Sequence, residues 1–234
     1  MYNKNKDFRY KKNRFLDLMR HAVFGIEDGL VSTLGIVFGT AIGSHNPKIV
    51  ILAGFAGLIS GGLSMGAGTY LSSKSQKELY EKKFLEEKSH AKHHVEKELK
   101  DLDKIYKEKG IDGKTIKPFL KSISKNHKLL ARIIAMEKIG IVPEAFDRPI
   151  LNALLITGLF LLVGLIPILP FFFYKIALAQ KISIAITVAA LFIFGGFRSK
   201  FSERSFLKSG LEMVSIALIA TILGYAVGKI LGIN

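Results

Sequence analysis

The sequence predicts an all-α polytopic membrane protein with five transmembrane helices and a cytosolic helical insert between helices 2 and 3. Five segments, about 22–43, 48–71, 150–172, 178–198 and 209–231, each exceed the roughly 20 predominantly apolar residues that cross a hydrocarbon core of about 30 Å. Apart from His and Tyr, only Glu27, Asp28 and Lys48 are ionisable between Ala22 and Leu71. Of the 34 Lys and Arg, 30 fall in residues 1–20, 72–149 and 198–208, leaving Lys48, Lys175, Lys181 and Lys229 for the other side. Alternate loops are therefore basic, and the positive-inside bias puts the N-terminus and the insert in the cytosol and the C-terminus outside. The net charge of +15 thus tracks topology and argues against nucleic acid as a partner. With no cysteine, disulfides and thiolate chemistry are excluded, and any metal must be held by oxygen, imidazole or thioether.

Residues 1–71 comprise a basic lead-in and the first two spans. In residues 1–20, Phe8, Phe15, Leu16 and Met19 alternate with Lys11, Lys12, Arg14 and Arg20, an amphipathic pattern suited to the headgroup layer. The first span does not read as a cleaved signal peptide, because no small-residue cleavage site follows it and a longer apolar run does. Asn46-Pro47 marks a short turn, so spans one and two are antiparallel neighbours. Residues 150–234 hold spans three to five, with Pro170 and Lys175 in the turn between three and four. Glycines recur every four residues at Gly35, Gly39 and Gly43 and at Gly224, Gly228 and Gly232, with the same spacing in Gly57/Gly61 and Gly62/Gly66. That spacing allows close backbone approach, within one chain or across a dimer seam.

Residues 72–149 form the polar insert. One long helix is expected from about Ser72 to Lys109, ended by Gly110 and Gly113, with one or two shorter helices to about Lys138 before Gly140 and Pro143. Ala91, Val95, Leu99, Leu102 and Tyr106 make one apolar stripe at three- and four-residue steps. Its partner is either the later apolar set, Phe119, Leu120, Ile123, Leu130, Ile133 and Ile134, or the insert of a second subunit.

Four places carry candidate chemistry. Asp28, beside Glu27, lies about seven residues past His21, roughly 10 Å into the span, where an unpaired carboxylate costs at least ~2.5 kcal/mol. Arg20, Arg198 or protonation could compensate it; otherwise it marks a cation or proton pathway. Met65, in Gly61-Gly62-Leu63-Ser64-Met65-Gly66, is a soft thioether donor that favours late first-row metals, although a methionine in an apolar helix is usually filler. Counted from the turn at Pro47, Asp28 and Met65 are level within about one helical turn. Glu212 reads either as a second relay or as an acid reaching to the membrane rim beside Lys208. In the insert, Glu87, His90, His94, Glu98 and Asp101 form a polar stripe, with Glu137 the acid best placed to reach it from the later helices. Glu87 and His90 stand in the i, i+3 relation by which helical bundles put a carboxylate and an imidazole on one metal. A solvated face explains the same pattern, given Lys88, Lys92, Lys97, Lys100 and Lys104 nearby.

The runs Met19–Ala41 (MRHAVFGIEDGLVSTLGIVFGTA) and Ala53–Gln76 (AGFAGLISGGLSMGAGTYLSSKSQ), with the final GYAVGKILG, resemble the vacuolar iron transporter family. The resemblance extends over nearly the whole chain. It implies a homodimer that exports iron(II) or manganese(II) from the cytosol in exchange for protons, with its pore along the two first helices. By position, Asp28 and Met65 match the family's translocation residues. Glu87, Glu98 and Glu137 match acids of its metal-binding insert, while His90 and Asp101 stand where glutamates are usual and Ile133 and Ile134 where methionines stand. Gly57 replaces an acid found in some members, and Glu27 a common asparagine.

The expected protein is thus a transporter of divalent transition metal, with metal ions, protons, the lipid bilayer and a second copy as partners and no permanently bound cofactor. The alternative is a membrane-anchored metal-buffering or sensing protein whose spans conduct nothing. An enzyme, such as a ferroxidase using the Glu-x-x-His pair, rests on that motif alone. Compact loops and no organelle-type leader point to a prokaryotic plasma membrane.

Overall fold

The computed structural model describes residues 4–138, 140, 148–201 and 204–231, the side chains of 4–17 and of Phe201 excepted. The lead-in side chains Phe8, Phe15 and Leu16, together with Pro143 and Gly232, lie outside the described residues. Among the described residues the secondary structure is helical, without strands. The helices are α1 (Lys4–Ser44), α2 (Pro47–His93), α3 (Val95–Glu108), α4 (Gly113–Ser124), α5 (His127–Lys138), α6 (Pro149–Ile168), α7 (Pro170–Phe173), α8 (Ile176–Arg198) and α9 (Phe206–Leu231). Among the described residues five stretches are long and apolar enough to cross a membrane: Leu18–Ser44, the apolar part of Pro47–His93, Pro149–Phe173, Ile176–Arg198 and Phe206–Leu231. The chain divides into two compact units, one holding Phe15–Tyr70 and Ile150–Asn234, the other holding Leu71–Pro149.

In the apolar unit, the α1–α2 turn follows from local chemistry. His45 adopts a left-handed backbone (φ 51°). Asn46 then caps α2, its Oδ1 accepting from the Lys48 amide at 3.0 Å, with Pro47 at the first helical position, where a missing N–H costs nothing. The register of the spans is fixed by glycines. A Cβ on Gly25 would sit 2.9 Å from the Ile156 carbonyl oxygen and one on Gly29 2.7 Å from that of Phe160, so α1 and α6 run parallel in backbone contact. A Cβ on Gly39 would meet the Gly224 oxygen at 2.8 Å, and one on Gly224 the Gly35 oxygen at 2.7 Å, so α1 and α9 are parallel as well. α2 runs opposite to α6, with Gly61 against Phe160 and Gly66 against Thr157. Of the two uses open to the Gly35/Gly39 and Gly224/Gly228 spacing, the structure shows packing within the chain.

Around these contacts, Val37, Val50, Leu58, Phe160 and Ile168 form one buried core. Leu30, Leu191, Met213 and Ala217 form another, joining α1 to α8 and α9. Ser183 donates to the Pro167 carbonyl at 2.7 Å and ties α8 to α6.

The second unit has a core of its own. Ala91, Leu102, Ile116, Leu120, Ile123, Leu130 and Ile134 are buried together, with Val95, Leu99, Tyr106 and Ile133 partly buried against them. The predicted stripe therefore finds its partner in α4 and α5 of the same chain. Phe119 remains 40% exposed at the edge, its ring edge-on to Tyr106. Leu102, Leu130 and Ile134 are fully buried, each contributing at most about 1.5–3 kcal/mol. One expectation is corrected: the helix from Ser72 to Lys109 is not continuous. It breaks at His94 (φ −130°, ψ 44°), where α3 begins. No Gly or Pro lies between Gly68 and Gly110 to announce this. The physical reason is tertiary, since α3 bends there while its apolar face stays on α4 and α5.

Candidate functional site

Asp28 and Ser32 are one turn apart on α1, and the Ser32 hydroxyl donates to Asp28 Oδ1 at 2.5 Å. Both are half-buried, whereas Gly25, Gly29, Thr33, Leu34 and Val37 are buried. Phe24, 55% exposed, continues the Asp28–Ser32 row at the same four-residue spacing, so the row runs from an exposed ring to a partly covered acid and hydroxyl. Neither Arg20 nor Arg198 is bonded to it among the described residues. Instead, Arg198 Nη2 donates to Glu212 Oε2 at 2.6 Å, and Arg204 Nη1 donates to the same oxygen at 3.2 Å. Of the two readings of Glu212, relay or rim acid, the structure shows an ion-paired acid that holds two arginines at the α8–α9 end. Glu27 is half-buried, within electrostatic reach of Arg198, Glu212 and Asp28.

Met65 is half-buried, packed on the core that includes Phe160. Its depth relative to Asp28 follows from α6. Gly29 touches Phe160 and Gly66 touches Thr157; with α1 parallel and α2 antiparallel to α6, Asp28 and Met65 differ in level by roughly 1.5 Å, about one residue of rise. The expectation that they are level within one turn is met by this register. A carboxylate, a hydroxyl and a thioether at one depth can serve a borderline-soft divalent cation.

The acids of the helical insert are distributed differently from the predicted stripe. Lys138 Nζ, at the end of α5, donates to Glu98 Oε2 and to Asp101 Oδ2, each at 2.6 Å. The Glu98 side chain is 4% exposed, and a buried carboxylate requires such a partner. Hydrogen bonding from Lys138 holds the Asp101 carboxyl below the ordinary carboxylate value. Burial works against the charged Lys138, yet its bonds to Asp101 and Glu98 outweigh that and raise its ammonium. Glu137 is paired with Lys109 and accepts from the Tyr106 hydroxyl at 3.2 Å. Burial first, then the Glu137 charge, pushes the Tyr106 phenol up to about 12. Glu87 Oε2 is buried with no hydrogen-bond partner among the described residues. His90 and His94 are exposed, their ring centroids 6.1 Å apart. Among the described residues, no three His, Asp or Glu side chains gather as a metal-binding group. Ile133 and Ile134 pack in the core. Met136, a soft donor passed over in the sequence, is exposed beside Glu137. The roles of Lys138, Lys109, Ser32 and Arg204 were not read from the sequence, and Tyr106 was read there as part of the apolar stripe alone. These roles depend on spatial partners, although Ser32, one turn from Asp28, and Lys138, adjacent to Glu137, lie near residues already singled out.

Among the described residues, five spans, the first of which carries two acids, define a polytopic helical membrane protein. The VIT family model matches residues 19–229. The chain belongs to that family, as the runs Met19–Ala41 and Ala53–Gln76 suggested. Vacuolar iron transporter 1 of Tulipa gesneriana is 26% identical over 214 residues, 91% of this chain and 87% of the relative. Protein CCC1 of Saccharomyces cerevisiae is 30% identical over 90% of this chain and 68% of its own length. An uncharacterized protein of Methanocaldococcus jannaschii is 31% identical over 90% and 88%.

Proposed function

We propose that this protein is a metal transporter of the membrane, not an enzyme, that moves iron(II), and manganese(II) beside it, out of the cytosol in exchange for protons. The observation that carries the reading is Asp28. It is a half-buried carboxylate inside a membrane span whose partner among the described residues is the Ser32 hydroxyl, with no counter-cation bonded to it. Such a group is tolerated when a passing cation or proton neutralises it. Relatives named vacuolar iron transporters, matched along nearly their whole length, support iron as the cargo. The thioether of Met65 near the same depth supports a transition metal over calcium or magnesium.

The row of α1 carrying exposed Phe24 and half-buried Asp28 and Ser32 supports a homodimer in which two such rows face each other and enclose the path. Symmetric pairing would remove both carboxylates from lipid. The charge asymmetry of the loops supports a cytosolic N-terminus and insert, and the archaeal relative supports a prokaryotic plasma membrane as host. The insert, through Glu87, His90, His94, Glu98, Asp101 and Glu137, would collect the ions before entry.

Proteoliposomes holding the protein take up iron(II) when an opposing proton gradient is imposed, and Asp28→Ala lowers the initial rate at least about tenfold, equivalent to ~1.4 kcal/mol. Uptake by Asp28→Ala at the wild-type rate removes the proposed path.

A further inference from the structure

We propose that Lys138 is a built-in counter-cation that competes with divalent metal for Glu98 and Asp101, so that loading the insert requires its release. The proposal rests on reading these acids as metal-binding, and deepens that reading. Glu98 and Asp101 lie three residues apart on one face of α3, and a single ammonium sits 2.6 Å from an oxygen of each. A divalent ion bound to the same two oxygens, at the roughly 2.0–2.6 Å its coordination requires, would stand within contact distance of Nζ. Two cations cannot share that point, so metal and lysine exclude each other.

The exchange is favoured by charge. Two carboxylates and one ammonium leave one negative charge, which a divalent ion removes and a monovalent ion does not. Another acid of the set, Glu137, is paired with a lysine of its own, Lys109. Among the described residues, Glu87, its Oε2 buried and unpartnered, is the acid of the set left without a lysine. Glu98 in turn is too buried to stand uncompensated, so removal of Lys138 by metal is a replacement of one cation by another and not a simple opening. The consequence is a threshold. The insert stays closed on its own lysine at low free metal and loads only when the ion outcompetes it.

The test uses the full-length protein in detergent with Mn²⁺ as a paramagnetic probe. Lys138→Met should bind Mn²⁺ about tenfold tighter, the size expected when a charge-assisted competitor is removed, while Lys138→Arg, which keeps a cation there, should not. In the unmodified protein, acylation of Lys138 by an amine-reactive reagent, read by mass spectrometry, should rise on addition of Mn²⁺. If Asp101→Asn weakens Mn²⁺ binding but Lys138→Met does not tighten it, or if Lys138 acylation is unchanged at saturating Mn²⁺, the competition is overturned and the insert reading stands. If Asp101→Asn and Lys138→Met both leave Mn²⁺ binding untouched, the insert reading itself fails, and the competition with it.

Discussion

Replacing Gly224 by Ala adds one methyl group where α9 crosses α1. An ideal Cβ there lies 2.7 Å from the Gly35 carbonyl oxygen and 3.4 Å from Gly35 Cα. Both are backbone atoms and cannot rotate away, so the helices must separate. Overpacking of this kind costs about 1–3 kcal/mol, while Ala regains up to about 1 kcal/mol over Gly in a helix. A net loss of up to about 2 kcal/mol follows. Gly158 supplies the control, because a Cβ there meets nothing within 4 Å. Gly158→Ala should be neutral or stabilising by up to about 1 kcal/mol. Two chemically identical substitutions thus differ by about 2 kcal/mol. Denaturant unfolding in mixed micelles, followed by circular dichroism, measures the difference. Gly39→Ala, whose Cβ would be 2.8 Å from the Gly224 oxygen, should fall with Gly224→Ala, and the pair should be non-additive because they share one contact. A Gly224→Ala protein as stable as Gly158→Ala would refute the close crossing of α1 and α9.

Two further outcomes complete the set begun with Asp28 and Lys138. Glu212→Gln should free Arg198, which lies within electrostatic reach of Glu27, and lower metal flux by roughly tenfold, equivalent to ~1.4 kcal/mol. Adding Arg198→Gln should restore the flux, and failure to restore it would mean that Glu212 acts in another way. Tyr106 titrates at about 12 in the folded protein against an ordinary 10. The unfolded chain therefore loses this proton first, and the stability Tyr106 contributes is full below pH 10 and lost as pH rises toward 12. The difference in near-ultraviolet phenolate absorbance between wild type and Tyr106→Phe should show that raised midpoint, and a midpoint at the ordinary value would contradict the contact with Glu137.

The candidate site was legible in part. Asp28 announced itself because a carboxylate in an apolar run is costly anywhere in a membrane, whatever surrounds it. Met65 gained meaning only from its register with Asp28, which the short Asn46-Pro47 turn already constrained and the contacts of α6 with Gly29 and Gly66 express. In the insert, the stripe of acids and imidazoles was visible by period, but its partners were not. Lys138 lies 37 residues from Asp101 along the chain, and Lys109 lies 28 from Glu137. Spacing along a helix does not report contacts of that separation. Ile133 and Ile134 pack in the insert core, whereas the soft donor nearby is Met136, exposed two residues on from Ile134.

By itself the sequence determined the all-helical class, the five spans and the apolar stripe of the insert. These depend on the transfer of side chains out of water, which composition and period encode locally. Only the tertiary structure decided the break at His94, the pairing of Gly35 and Gly39 with Gly224 and Gly228, the capture of two arginines by Glu212 and the lysine between Glu98 and Asp101. Each of these requires atoms from distant parts of the chain to meet within a few ångströms. That condition is set by how helices pack and not by what any one of them contains.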